Sequence, residues 1–207
     1  MGRNSDRHQL TRRSLIGAGA LLVGGLAATP LSAFAAERKV KPALLARAMH
    51  AFQAHGARLG ARDRIAIADF SAPSREARFH IVDMLSGATT SLLVAHGRGS
   101  DPRHSGWLQQ FSNEPGSAAS SAGTYLTGAE YVGKHGRSRR LIGLDPQNSN
   151  AEPRAIVIHS AWYVGAEMIR GHGKLGRSEG CFAVSEADLA MTLEQLGAGR
   201  LIYADKV

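Results

Sequence analysis

A mainly β domain with two helices is what the sequence predicts, on three observations. Short apolar or β-branched runs recur through the middle of the chain, helical periodicity appears in two places, and Gly, Ser, Pro and Asn punctuate the rest. The length of 207 residues suits one ordinary domain. Apolar residues at 43% and charged residues at 20% exclude general disorder.

The elements follow in order. Residues 1–35 read as a secretory signal. A basic start ends at Arg12-Arg13, residues 14–29 carry no charge, and Ala33-Phe34-Ala35 offers small residues for cleavage. The paired arginines and the glycine-diluted apolar stretch favour twin-arginine export to the periplasm or cell envelope. The stretch of 16 residues is short of the roughly 20 that span a bilayer, so no stable membrane span is expected once the signal is removed. Cleavage would remove four arginines and one aspartate, lowering the formal charge from +8 to +5. That charge suits an anionic wall polymer. The arginines are scattered, so nucleic acid is not an expected partner.

Residues 36–63 form a basic linker and a helix from Pro42 to His55, with Leu44, Leu45, Ala48, Met49 and Phe52 on one face and Gly56 as its stop. Strands are expected at 64–70, at 77–84 and 89–96 around a Ser86-Gly87 turn, and at 139–144, 155–159 and 201–204. Residues 97–123 are polar and aperiodic, as in a functional lid or rim. The second helix follows Ser185, which with Asp188 resembles a capping box, and ends at Gly197.

One cysteine, Cys181, excludes an internal disulfide framework and any multi-cysteine metal cluster. It sits in the polar stretch Ser178-Glu179-Gly180-Cys181 before the second helix, where a core cysteine would sit in an apolar run. A thiol reacts as thiolate and needs a base, a cation or backbone donors close by. Gly180 permits a tight turn whose amides would face an oxyanion, and Arg177 adds positive charge. His159, at the end of an apolar strand, is the preferred base, and His172, between glycines, is its competitor. His96, ending another strand, is a candidate site-lining residue, whereas His8, His50, His55 and His135 are assigned to surface or core.

A strand-end His-Ser followed some twenty residues later by Ser-x-Gly-Cys resembles the pattern of bacterial L,D-transpeptidases, cysteine enzymes that cross-link peptidoglycan. The run 171–184, GHGKLGRSEGCFAV, is similar to the divergent murein L,D-transpeptidase catalytic domain family, as are His96-Gly97-Arg98-Gly99-Ser100, Phe111-Ser112-Asn113 and Tyr131-Val132-Gly133-Lys134-His135-Gly136. The resemblance runs from about Phe70 to the C-terminus and makes residues 64–207 an L,D-transpeptidase-like catalytic domain.

It implies a β-sandwich with the cysteine at its mouth, Cys181 as nucleophile, His159 as base and the Ser160 carbonyl as its orienter. Ser178, Gly180, Arg177, His172 and His96 would serve the oxyanion or the substrate. The implied reaction is attack on the L,D amide of a tetrapeptide stem with release of D-alanine. The acyl group then passes to a stem amine, or to water in the carboxypeptidase alternative. No metal or organic cofactor is implied, and the oligomeric state is left open. Two departures stand out. Glu179 replaces the usual histidine of Ser-His-Gly-Cys, and Ala183 stands where the common branch has an arginine, leaving Arg177 or Arg170 to contact the substrate carboxylate.

Other classes fit less well. A zinc hydrolase lacks an H-E-x-x-H pair. A papain-like peptidase would carry its cysteine before its histidine. A non-catalytic wall-binding relic is the remaining alternative.

Overall fold

The structure, a computed structural model, describes residues 40–207. The expected signal at 1–35 and the start of the linker lie outside the described residues. Helix α1 (Pro42–Ala54) opens at Pro42, whose missing N–H costs nothing in a first turn. It buries Leu44, Ala48 and Ala51, of which Leu44 and Ala48 pack with Ile65 and Ile67 of strand β1 (Arg64–Asp69). The opposite side chains of β1, Ala66 and Ala68, enter the main core, so this strand is covered on both faces.

Strands β2 (Phe79–Asp83) and β3 (Thr89–Leu92) continue β1 as an antiparallel meander whose turn carries Gly87 at φ +75°. After the long segment 93–122 come β4 (Gly123–Gly133), β5 (Gly136–Gly143) and β6 (Val157–Ser160). Helix α2 (Ala166–His172) carries the chain over to β7 (Phe182–Val184), parallel to β6. Helix α3 (Glu186–Gln195) and β8 (Leu201–Asp205) complete the fold. Ser185 caps α3 by accepting from the Asp188 N–H, and its hydroxyl donates to the Asp188 carboxylate.

The eight strands form one sheet in the order β3-β2-β1-β8-β4-β5-β6-β7. The sheet folds back on itself, because just beyond β3 the Ala95 N–H reaches the Ala183 carbonyl of β7 at 2.9 Å. All eight strands contribute to the core enclosed between its halves, with the Phe182 ring packed against Phe70, Phe79 and Tyr125. This is the expected mainly β, sandwich-like architecture.

The sequence differs from the structure in three elements. There are three helices rather than two, because α2 buries no residue fully and so has no apolar stripe to read. Strand β4 was not predicted; its alternation is interrupted by glycines and a register shift between Thr127 and Glu130. Cys181 leads into a strand before the helix, since β7 spans only three residues.

Candidate active site

The β6–α2–β7 unit brings the cysteine to the histidine. Parallel pairing of Ile158 with Phe182 and His159 with Ala183 sets Cys181, just before β7, beside Val157. Residues 157, 159 and 181 then share the sheet face turned away from the core. Cys181 and His159 line one cleft of about 440 Å³ together with Tyr131, Lys134, His135, Ala155 and Tyr163. A larger cavity of about 520 Å³ lies between α1 and the sheet and contains no nucleophilic thiol.

His159 is buried and donates through Nδ1 to the Ser160 carbonyl at 2.8 Å. A carbonyl can only accept, so this bond leaves the Nε2 lone pair free as a base. Burial is the main cause that holds the imidazole below its ordinary pKa. The Ser160 bond opposes this, and the charges of His135 and Lys134 reinforce it. Burial likewise pushes the half-buried Cys181 thiol up, against the pull of the Val157 N–H and Lys134; Glu179 raises it further and Arg154 lowers it. Burial thus disfavours the charged form of both groups, the thiolate and the imidazolium alike. Sγ lies 3.6 Å from the carbonyl of Ala155, a residue in the left-handed conformation at φ 52°.

The cysteine loop is clamped from within. Ser178 Oγ donates to the Cys181 carbonyl at 2.7 Å and accepts from the Gly180 N–H at 3.2 Å. Gly180 stands at φ +114°, and a Cβ there would lie 2.6 Å from the Ala119 carbonyl. Segment 93–122 supports the loop from behind: the Ser178 N–H donates to the His96 carbonyl and the Arg98 N–H to that of Ser178. Most of this segment acts as scaffold rather than lid, with Ser100, Asp101, Ser120 and Ser121 buried, while Arg98 reaches the cleft.

The structure thus brings together Cys181, His159, Ser160, Ser178, Gly180 and Arg177. Their expected contacts are not all met. The Gly180 amide, expected to face an oxyanion, is occupied by Ser178. The Arg177 guanidinium, expected to serve substrate, donates to the Asp101 and Pro102 carbonyls. His172 ends α2 exposed and does not line the cleft, because the chain turns away at Gly173, φ +68°. Arg170 pairs with Glu167 on the same helix and does not line it either. His96 lies buried behind the site, where Nδ1 accepts from Arg78 at 2.8 Å and Nε2 faces Asp101 at 3.4 Å.

Sequence reasoning missed the β4–β5 turn. His135, assigned to surface or core, stacks on the His159 ring with centroids 4.3 Å apart and planes at 20°. Lys134 precedes it in the same two-residue turn. The run from Tyr131 to Gly136, which resembles the family, was the one signal available. Glu179 pairs with Arg98 at 3.0 Å on the rim, both side chains well exposed, so the pair adds little stability. Among the described residues no group of three or more His, Cys, Asp or Glu side chains is placed to hold a metal ion, and no helix is long and apolar enough to cross a membrane.

The profile of the L,D-transpeptidase catalytic domain matches residues 36–204 of this chain. The chain belongs to that family. The family acts on peptidoglycan, and the match takes in α1 as well as the sheet. No curated protein matches this L,D-transpeptidase family member. Among solved structures it is similar to an L,D-transpeptidase from Mycobacterium smegmatis at 13% identity and TM-score 0.42, covering 69% of this chain and 58% of that one. An L,D-transpeptidase from Mycobacterium tuberculosis matches at 12% and 0.43, with 69% and 57% covered. A helical cell shape determining protein from Campylobacter jejuni matches at 12% and 0.44, with 81% and 57% covered. The chain therefore spans less than two thirds of the length of these structures.

Proposed function

We propose that the protein is a peptidoglycan L,D-transpeptidase that works through a cysteine acyl-enzyme, exported by residues 1–35 to the periplasm or cell envelope. The observation that carries the chemistry is that Cys181 and His159 line one cleft, with Nδ1 of the histidine tied to Ser160. His159 Nε2 takes the thiol proton as Sγ attacks the carbonyl of the L,D amide in a tetrapeptide stem. The tetrahedral oxyanion collapses, the C–N bond breaks, and the imidazolium returns its proton to the departing D-alanine amine. The thioester left on Cys181 is then attacked by the side-chain amine of a second stem, which forms the cross-link and restores the thiol.

Burial that disfavours both charged forms suits this sequence, in which charge develops as the substrate excludes water. The lowered His159 pKa and raised Cys181 pKa support a general-base role for His159 over a standing ion pair.

The test is incubation of the enzyme with a disaccharide-tetrapeptide, followed by mass spectrometry of products and of the intact protein. Cross-linked dimer with free D-alanine supports transpeptidation, and tripeptide alone assigns the hydrolytic variant. Absence of any adduct on Cys181 refutes the acyl-enzyme. Cys181→Ala should abolish the adduct, and His159→Ala should slow its formation by roughly 10²–10⁴-fold.

A further inference from the structure

We infer that Lys134 recognises the free carboxylate of the residue that leaves the donor stem, an inference that rests on the reading above. Four cationic side chains line the cleft: Arg98, Lys134, Arg154 and Arg177. Three are already engaged. Arg154 donates to the Ser112 carbonyl, Ser121 Oγ and the Ala119 carbonyl. Arg177 is held by the Asp101 and Pro102 carbonyls, and Arg98 is paired with Glu179. Lys134 alone has neither a hydrogen bond nor an ion pair among the described residues.

Its position matches the chemistry of the leaving group. D-alanine departs as the C-terminal residue, so its carboxylate lies one carbon from the nitrogen that leaves. The group that reads this carboxylate must therefore stand close to the group that protonates that nitrogen, His159. Lys134 occupies the tip of the β4–β5 hairpin, next to the imidazole stacked on His159. It lines the same cleft as both reacting groups, His159 and Cys181, and its positive charge holds each pKa down. A lysine ammonium on a flexible stem suits a compact terminal carboxylate. Seating that carboxylate would complete an otherwise unbalanced cleft, whose one acidic side chain is already paired with Arg98.

The experiment compares two donor tetrapeptide stems, one with a free terminal carboxylate and one with a terminal amide. Acylation of Cys181 is followed by intact mass spectrometry in wild type, Lys134→Met, Lys134→Arg and Arg98→Met. Wild type should prefer the acid about tenfold, the size of a partly screened charge-assisted hydrogen bond, with the preference shrinking as salt rises. Lys134→Met should bring the acid-to-amide ratio close to one, while Lys134→Arg and Arg98→Met keep it. Loss of the lysine charge also alters the thiol and the imidazole, but equally for both peptides, so it cancels in the ratio. A ratio that survives in Lys134→Met, that collapses in Arg98→Met, or that is one in wild type overturns the assignment of Lys134 and leaves the acyl-enzyme standing. If neither peptide acylates wild type, both readings are overturned.

Discussion

Mild acid should weaken this fold through one histidine. His96 is 1% exposed, and its Nδ1 must be unprotonated because Arg78, which can only donate, points Nη2 at it from 2.8 Å. The ring proton therefore sits on Nε2, which faces Asp101 Oδ2 at 3.4 Å and has no hydrogen-bond partner. A second proton would have to enter at Nδ1, against the buried guanidinium. Burial first, and then the Arg78 charge, push the His96 pKa down to about 3 from 6.5, with Asp101 compensating only in part. Between those values the unfolded chain binds a proton that the native state refuses. The contribution to stability is thus intact above 6.5 and shrinks as pH falls toward 3. Going from about pH 7 to about pH 5, the linkage amounts to about 2 kcal/mol, against a total stability of roughly 5–15 kcal/mol for a domain. Urea unfolding at both pH values, on wild type and His96→Asn, measures it. Asparagine can keep an acceptor toward Arg78 but does not titrate, and the volume it loses costs the same at either pH. Wild type should lose about 2 kcal/mol more than the variant on acidification; equal losses would refute the assignment. Because the His96 carbonyl holds the Ser178 N–H, the same acidification should loosen the cysteine loop.

Three further outcomes follow from the site. Gly180→Ala places a Cβ at φ +114° and 2.6 Å from the Ala119 carbonyl, so it should cost at least about 1–3 kcal/mol by thermal unfolding and slow alkylation of Cys181. His135→Ala uncovers His159 and removes a neighbouring positive charge, both of which let the imidazole pKa rise, so the acid limb of the acylation pH profile should move to higher pH. Glu179→Gln removes a charge that raises the thiol pKa, so the alkylation pH profile of Cys181 should shift to lower pH, where an unchanged profile would count against that contact.

The parts of the fold legible in the sequence are those fixed by local pattern. Strand β1 and the β2–β3 hairpin carry apolar or β-branched runs and a Ser-Gly turn, and α1 and α3 carry one-sided apolar faces. Helix α2 and strand β7 are stabilised by what they bring together, since the crossover sets Ile158 against Phe182. The site divides in the same way. Cys181 and His159 were legible as candidates because the thiol is unique and the histidine closes an apolar strand, and they line one cleft. His135 was not, because its place over His159 depends on Ser138 of β5 pairing with His159 of β6, a register that local spacing does not encode.

That register also explains why this chain departs from the common motif two residues after its cysteine. Ala183 lies in β7 opposite His159 and is fully buried with Ala95, Ala161, Val164 and Leu175. An arginine at this position would be forced into a small apolar pocket, where an unpaired charge costs several kcal/mol even after relaxation. In the proposed reaction, a cation for a carboxylate-terminated stem would then come from outside β7. Arg177, Arg98 and Arg154 are already engaged by their surroundings, so the β4–β5 turn is the element left to supply it. The same two-residue turn places a ring on His159 and carries Lys134 beside it, so in the proposed reaction one element would serve both proton return and recognition of the residue that departs.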